Sequence, residues 1–202
     1  VNYYFLLNNS IIYEYMNIIV ARYNENVEWT KNFSNVIIYN KGELLNNGYN
    51  EILLNNVGRE QHTFNKYIYD NYDNLENYTI FLQGNPFDHL VNTIEKLNEI
   101  INNKEYNKDF EILCHSILTC NLSGCRHHDN IPLIDVYEKL FNERKENMEF
   151  TFGAGGQFIV SKKNILKRPR DFYLKIVEIL QNDINPIEGF VIERFHNIIF
   201  GN

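Results

Sequence analysis

Apolar positions switch between two repeats along this chain. Residues 17 to 23, Asn-Ile-Ile-Val-Ala-Arg-Tyr, form a short β-branched run, the pattern of a strand buried on both faces. Val36, Ile37, Ile38 and Tyr39 make a second run, closed by the turn chemistry of Asn40-Lys41-Gly42. The polar stretch between them, 24 to 34, has room for a loop and a short helix. From Gly58 the period changes: Phe64, Tyr67, Ile68, Tyr72 and Leu75 recur at helical steps, which predicts an amphipathic helix over 60–73. Tyr78 to Leu82 reads as a strand, stopped by Gln83-Gly84-Asn85-Pro86, and 87–102 reads as helix again. A strand or buried segment near 112–118, a helix over 132–141, a strand over 157–160 and two closing helices complete the outline. Pro86, Pro132, Pro169 and Pro186 stand singly at the boundaries. Strands alternating with helices predict one α/β domain over 17–202, a mixed sheet flanked by helices, after an N-terminal extension or hairpin over 1–16.

Composition narrows the class. The chain has 202 residues, 44% apolar and 22% charged, a globular balance that excludes a disordered tail or a collagen-like repeat. No run of about 18 apolar residues exists, so no membrane span is expected. A net charge of −7 argues against a phosphate-backbone binder, and no nucleic acid partner is expected. Asparagine is abundant, while alanine occurs only at Ala21 and Ala154; the bias opposes helix propensity everywhere and reads as pressure from an A+T-rich genome. Cys114, Cys120 and Cys125 match neither a zinc knuckle nor a secreted disulfide framework. A reducing, cytoplasmic setting is the simpler reading, with Cys114 and Cys120 as core. Val1 opens the chain without the regions of a signal peptide, so a removed leader or a trimmed chain is expected.

In open α/β sheets ligands sit beyond the carboxyl ends of the strands, which gives a screen for chemistry. After the first strand come Arg22, Tyr23, Asn24 and Glu25; after the Tyr78 to Leu82 strand come Gln83, Gly84, Asn85, Asp88 and His89; around the later strand lie Gly153, Gly155, Gly156 and Gln157. Asp88 and His89 pair a carboxylate with an imidazole, enough to hold one divalent metal beside a phosphate; a solvated helix-start acid beside a partly exposed histidine fits equally. Arg126-His127-His128-Asp129 reads as a polar loop, because adjacent side chains diverge. Gly153-Ala154-Gly155-Gly156 lacks the lysine of a phosphate loop and precedes a strand, so it suits a close backbone approach. Lys162, Lys163, Lys167, Arg168 and Arg170 form a basic cluster that would neutralise a diphosphate, with a solvated face as the plainer alternative. Glu193 and His196, three apart on a helix, share a side. Arg59 and Glu60 also fit a charged first turn.

Several segments resemble one family. Val20-Ala21-Arg22-Tyr23-Asn24-Glu25 with Trp29, Tyr39-Asn40-Lys41-Gly42, Asn56-Val57-Gly58-Arg59-Glu60 with His62 and Thr63, Tyr69 to Leu75, and Phe81-Leu82-Gln83-Gly84 follow in order. Gly156 to Ser161, Arg168-Pro169, Phe172-Tyr173, Glu193-Arg194 and Ile199-Phe200 close the series. Together they resemble the family of unknown function numbered 3431 (DUF3431), found in fungi, other eukaryotes and large DNA viruses. A viral source would suit the A+T bias and place the protein in host cytoplasm or virion.

The layout also looks like a compact GT-A glycosyltransferase, and that resemblance implies the following. The donor is a nucleotide-diphosphate sugar, UDP-sugar favoured, held by Arg22, Tyr23, Asn24, Glu25, Arg59, Gln83, Gly84, Asn85, Gly156, Gln157 and Arg194. Gln83-Gly84-Asn85 stands where such enzymes place an Asp-x-Asp metal motif, which is absent here. A Mn²⁺ or Mg²⁺ ion would then fall to Asp88 and His89, with His196 closing the site, or the reaction runs without metal on Arg22, Arg59, Arg194 and the Lys162 to Arg170 cluster. Glu193 is the expected base, taking the proton of a glycan or protein acceptor hydroxyl. A metal-dependent phosphoester hydrolase and a non-catalytic nucleotide- or glycan-binding module are the rival expectations.

Overall fold

The computed structural model describes residues 16–46, 48–125 and 127–201. The extension or hairpin expected over 1–16 lies outside them except for Met16, as does Arg126. Strand β1 (Met16–Arg22) is an interior strand of the sheet, with Ile18, Ile19 and Val20 all buried. It pairs in parallel with β2 (Val36–Asn40) on one side and β4 (Tyr78–Gln83) on the other, and β2 pairs in parallel with the short β3 (Glu51–Leu53). β8 (Phe158–Ser161) runs antiparallel to β4 and carries β5 (Phe110–Ile112) at the far edge, so the order is β3-β2-β1-β4-β8-β5.

Alternate side chains fix the two faces. Ile19, Phe81, Phe158 and Val160 pack with α1 (Arg59–Asp70), α5 (Arg170–Leu180) and α6 (Ile187–Phe200). Ile18, Val20, Ile38, Ile80, Leu82 and Ile159 face Leu97, Ile100 and Ile101 of α2 (Thr93–Asn102). A separate antiparallel pair, β6 (Ile117–Asn121) and β7 (Glu149–Gly153), is linked by α3 (Leu133–Phe141). A short α4 (Lys162–Ile165) follows β8. Helix α6 is wedged between the two sheets: Phe200 stacks on Phe158 at 5.0 Å, and Phe195 meets Phe150 at 5.6 Å. Pro132, Pro169 and Pro186 precede α3, α5 and α6 as their N-caps, where a missing N–H costs nothing.

This is the expected single α/β domain with a mixed sheet flanked by helices. Besides β3, which the sequence pattern does not show, three elements differ from it. The helix expected over 87–102 begins only at Thr93, because Pro86–Asp88 forms a 3-10 turn. The single buried segment near 112–118 is the end of β5 and the start of β6, in different sheets. Strand β7 carries an alternating Phe150 and Phe152 that the pattern shows only weakly.

β1, β2 and β3 step outward in one direction, and the chain then returns to lay β4 on the other side of β1. The connections diverge between β1 and β4, which opens a crevice at their carboxyl ends.

Candidate functional site

Two loops leaving β1 and β2 build the floor of this crevice. Buried Arg22 ties them together: its Nη1 donates to Asn40 Oδ1 at 2.7 Å and to the Glu43 carbonyl at 2.9 Å, and its Nε donates to the Glu25 carbonyl at 2.9 Å. Gly42 lets the loops touch, since a Cβ there would stand 1.8 Å from the Tyr23 carbonyl oxygen. Glu25 folds back over the β4 exit, with Oε2 accepting from the Tyr23 N–H at 2.7 Å and packing on Gly84. Trp29 Nε1 donates to the Gly84 carbonyl at 2.9 Å.

The entry to α1 supplies the wall. Gly58 and Arg59 both have positive φ, +63° and +50°, and the arginine's left-handed backbone costs about 1 kcal/mol or more. Lys41 holds this turn: its Nζ donates to the Val57 carbonyl at 2.5 Å and also to the Arg59 carbonyl. Burial lowers the Lys41 ammonium to about 8, with Glu60 opposing. The Arg59 guanidinium lies 4.6 Å from the Phe190 ring centroid, and its Nε is 3.6 Å from Glu60 Oε2.

Two chambers result. The first, about 480 Å³, is lined by Arg22, Tyr23, Glu25, Lys41, Arg59 and Glu60 among others. The second, about 400 Å³, includes His89, His128, Gly155, Glu193 and Arg194 in its lining. Arg59 and Gln83 line both chambers and stand at their junction. Each volume falls within the range of small-molecule sites.

Glu193 is the acid of the second chamber. Its Oε1 accepts the Gly155 N–H at 2.8 Å; Gly155 itself is held by Gln83, whose Nε2 donates to its carbonyl at 2.9 Å. Gly155 and Gly156 have φ of +88° and +63°; a Cβ on the first would stand 2.2 Å from the His89 ring, and one on the second 2.5 Å from Gln61 Nε2. Burial, reinforced by the Glu60 charge, raises Glu193 to about 7, against the opposing Gly155 N–H, Arg194 and Arg59. A carboxyl titrating there is suited to proton transfer near neutral pH.

Arg194 is buried at 1% exposure. It donates from Nη1 to the Phe190 carbonyl at 2.7 Å and from Nε to Cys125 Sγ at 3.3 Å, and its Nη2 lies 2.7 Å from His128 Nδ1. A guanidinium only donates, so His128 accepts at Nδ1 and is neutral, with its proton on Nε2. Burial, then the Arg194 and Arg59 charges, lower the His128 pKa accordingly.

The structure therefore brings Arg22, Tyr23, Glu25, Arg59, Gln83, His89, Glu193 and Arg194 to one two-chambered cleft. Gly84, Asn24, Asn85, Asp88, Gly156, Gln157 and His196 line neither chamber. Gln157 is a buried strut, accepting the Gln83 N–H at 3.2 Å and donating to the Pro86 carbonyl at 3.2 Å. Asp88 is exposed and accepts from Asn85 Nδ2 at 2.9 Å. His196 is sealed in the core with Nε2 2.7 Å from Gln61 Oε1, and burial lowers it to about 3. Asp88, His89 and His196 thus do not converge, and among the described residues no three His, Cys, Asp or Glu side chains are grouped to hold a metal ion.

The Lys162 to Arg170 cluster also lies elsewhere. Ser161 pairs with Tyr78, the first residue of β4, so the segment leaves the sheet at the edge opposite the crevice. Lys163 pairs with Asp109 at 2.7 Å and Arg170 with Asp73 at 3.4 Å, which assigns these two charges to surface pairs. The pattern passed over Lys41, Glu60 and His128 as site residues. Lys41 follows β2, so the strand-end screen applied to that strand finds it.

A family model described as a protein of unknown function, DUF3431, matches residues 18–202. The chain belongs to this family. No curated protein and no solved structure matches it. Among the described residues no helix is long and apolar enough to cross a membrane.

Proposed function

We propose that the protein is a glycosyltransferase that takes a sugar from a nucleotide-diphosphate donor, a UDP-sugar in the first instance, and passes it to a hydroxyl of a glycan or protein acceptor. One observation carries the reading: a cleft at the sheet's switch point has a poised carboxyl in one chamber, Arg22 and Lys41 beside Glu25 and Glu60 in the other, and Arg59 at the junction. In this account the nucleoside occupies the first chamber against the half-exposed Tyr23 ring, and the diphosphate sits near the junction. Arg59, Lys41 and Arg194 supply the charge that a departing diphosphate requires. The sugar lies in the second chamber.

Glu193 then acts as base. Gly155 occupies Oε1, and nothing among the described residues hydrogen-bonds Oε2, which accepts the acceptor's proton as its oxygen attacks the anomeric carbon. The Gly155 N–H fixes the carboxylate's direction, and Gln83 fixes Gly155.

Release of nucleoside diphosphate from a UDP-sugar panel, with and without hydroxyl acceptors, tests the proposal. Acceptor-dependent release, abolished in Glu193→Gln, is expected. Equal release without acceptor would indicate a phosphoester hydrolase, and nucleotide binding with no turnover a binding module.

A further inference from the structure

One group of reactive side chains has no part in the proposed transfer. Asn121 and Gly124 exchange both backbone hydrogen bonds, at 3.2 and 3.0 Å, around the turn Leu122-Ser123. The next pair outward, Cys120 and Cys125, therefore faces across a narrow non-hydrogen-bonded position, where Cα atoms stand roughly 4.5 Å apart with side chains on one side. That separation lies within the range a disulfide spans. The Cys120 thiol faces the carbonyls of the turn itself, Asn121 O at 3.7 Å and Gly124 O at 3.8 Å. Cys125 accepts a hydrogen bond from Arg194 Nε at 3.3 Å and lines an open cavity of about 460 Å³ with His128 and Asp129.

We propose that Cys125 is a thiolate modification site that reacts with peroxides and is resolved by Cys120 to a disulfide. The buried Arg194 guanidinium, donating from Nε, stabilises negative charge on the Cys125 sulfur, while Cys120 lies beside it, buried and protonated. Burial alone would raise the Cys125 thiol, but the neighbouring Cys120 and Arg194 side chains, with backbone help, bring it below the ordinary value. Burial, then Cys125, pushes Cys120 up to about 12. Cys114 differs: its Sγ donates to the Ser116 carbonyl at 3.1 Å, and burial raises it.

The chemistry balances. The Cys125 sulfur attacks one peroxide oxygen, the O–O bond breaks, and the departing oxygen takes a proton to leave as water or an alcohol. The Cys120 sulfur then attacks the resulting sulfenic sulfur; the S–O bond breaks, and water leaves with the Cys120 proton. Two cysteine sulfurs lose two electrons and the peroxide gains them. The disulfide removes the anionic partner of Arg194, a residue of the second chamber, so oxidation reaches the cleft.

Intact-protein mass spectrometry of the whole chain after hydrogen peroxide treatment tests this without reference to sugar transfer. Wild type should lose two hydrogens, and peptide mapping should place the bond between Cys120 and Cys125. Cys120→Ser should accumulate a dimedone-reactive sulfenic acid at Cys125. Because Cys120 is buried and its variant could misfold, iodoacetamide labelling of wild type at pH 7 is the second readout. Cys125 should alkylate at least about tenfold faster than Cys114, as thiolate character requires. Faster labelling of Cys114, or a peroxide product bridging any other pair, overturns the proposal.

Discussion

Glu193→Gln should stabilise the protein above neutral pH. The native carboxyl titrates at about 7 against an ordinary value of 4.5, chiefly because it is buried. Between those values the native state holds a proton that the unfolded chain has released, so stability falls as pH rises through that window. The loss is complete above pH 7. At about 1.4 kcal/mol per pH unit the penalty at pH 8 is roughly 3 kcal/mol, and at pH 5 it is under about 1 kcal/mol. Glutamine carries no charge to desolvate, and its Oε1 can still accept the Gly155 N–H. The variant should therefore melt roughly 6 to 12 °C above wild type at pH 8, using about 2 to 4 °C per kcal/mol for a domain of this size. At pH 5 the two should melt within a few degrees of each other. Differential scanning calorimetry across pH 5 to 8 reads this directly. A melting difference that does not grow with pH would refute the claim that Glu193 sits charged against burial, and with it the reasoning for a base near neutrality.

Other consequences are equally checkable. Turnover should rise with pH through about 7 as Glu193 loses its proton, and Glu60→Gln should move that limb to lower pH, because the Glu60 charge helps hold Glu193 up; a pH–rate profile of both proteins measures it. Lys41→Met frees the Val57 and Arg59 carbonyls that hold the left-handed turn and should cost about 1 to 3 kcal/mol in urea unfolding, with nucleotide affinity falling as well. Gly156→Ala should lower stability by about 1 to 3 kcal/mol, given its φ of +63° and the 2.5 Å approach to Gln61. Transfer should persist in EDTA, since Arg59, Lys41 and Arg194 supply the positive charge; loss that Mn²⁺ restores would hand that role to a metal.

The sheet was legible because its interior strands are buried on both faces, so β1, β2, β4 and β8 appear as unbroken apolar runs. β3 is three residues at an edge, with two of them exposed, and leaves no such run. The strand-end rule found Arg22, Tyr23, Glu25 and Gln83, since those positions depend only on where a strand stops. It could not separate Gln83, which lines the cleft, from Gln157, whose amide is spent bridging Gln83 and Pro86. His128 was hidden for a different reason: its role comes from Arg194, 66 residues away, and no local pattern encodes that contact. The basic cluster fits its plainer reading as a solvated face, since charge density alone says nothing about which edge of a sheet a segment leaves.

Titration calorimetry of nucleoside diphosphates into wild type and Arg59→Ala tests the central claim most directly. UDP or a related diphosphate should bind wild type, and the loss of one charge-assisted contact at the junction should weaken it about tenfold or more. Binding of no nucleoside diphosphate, or binding indifferent to Arg59, would contradict the assignment of this cleft to a nucleotide-sugar.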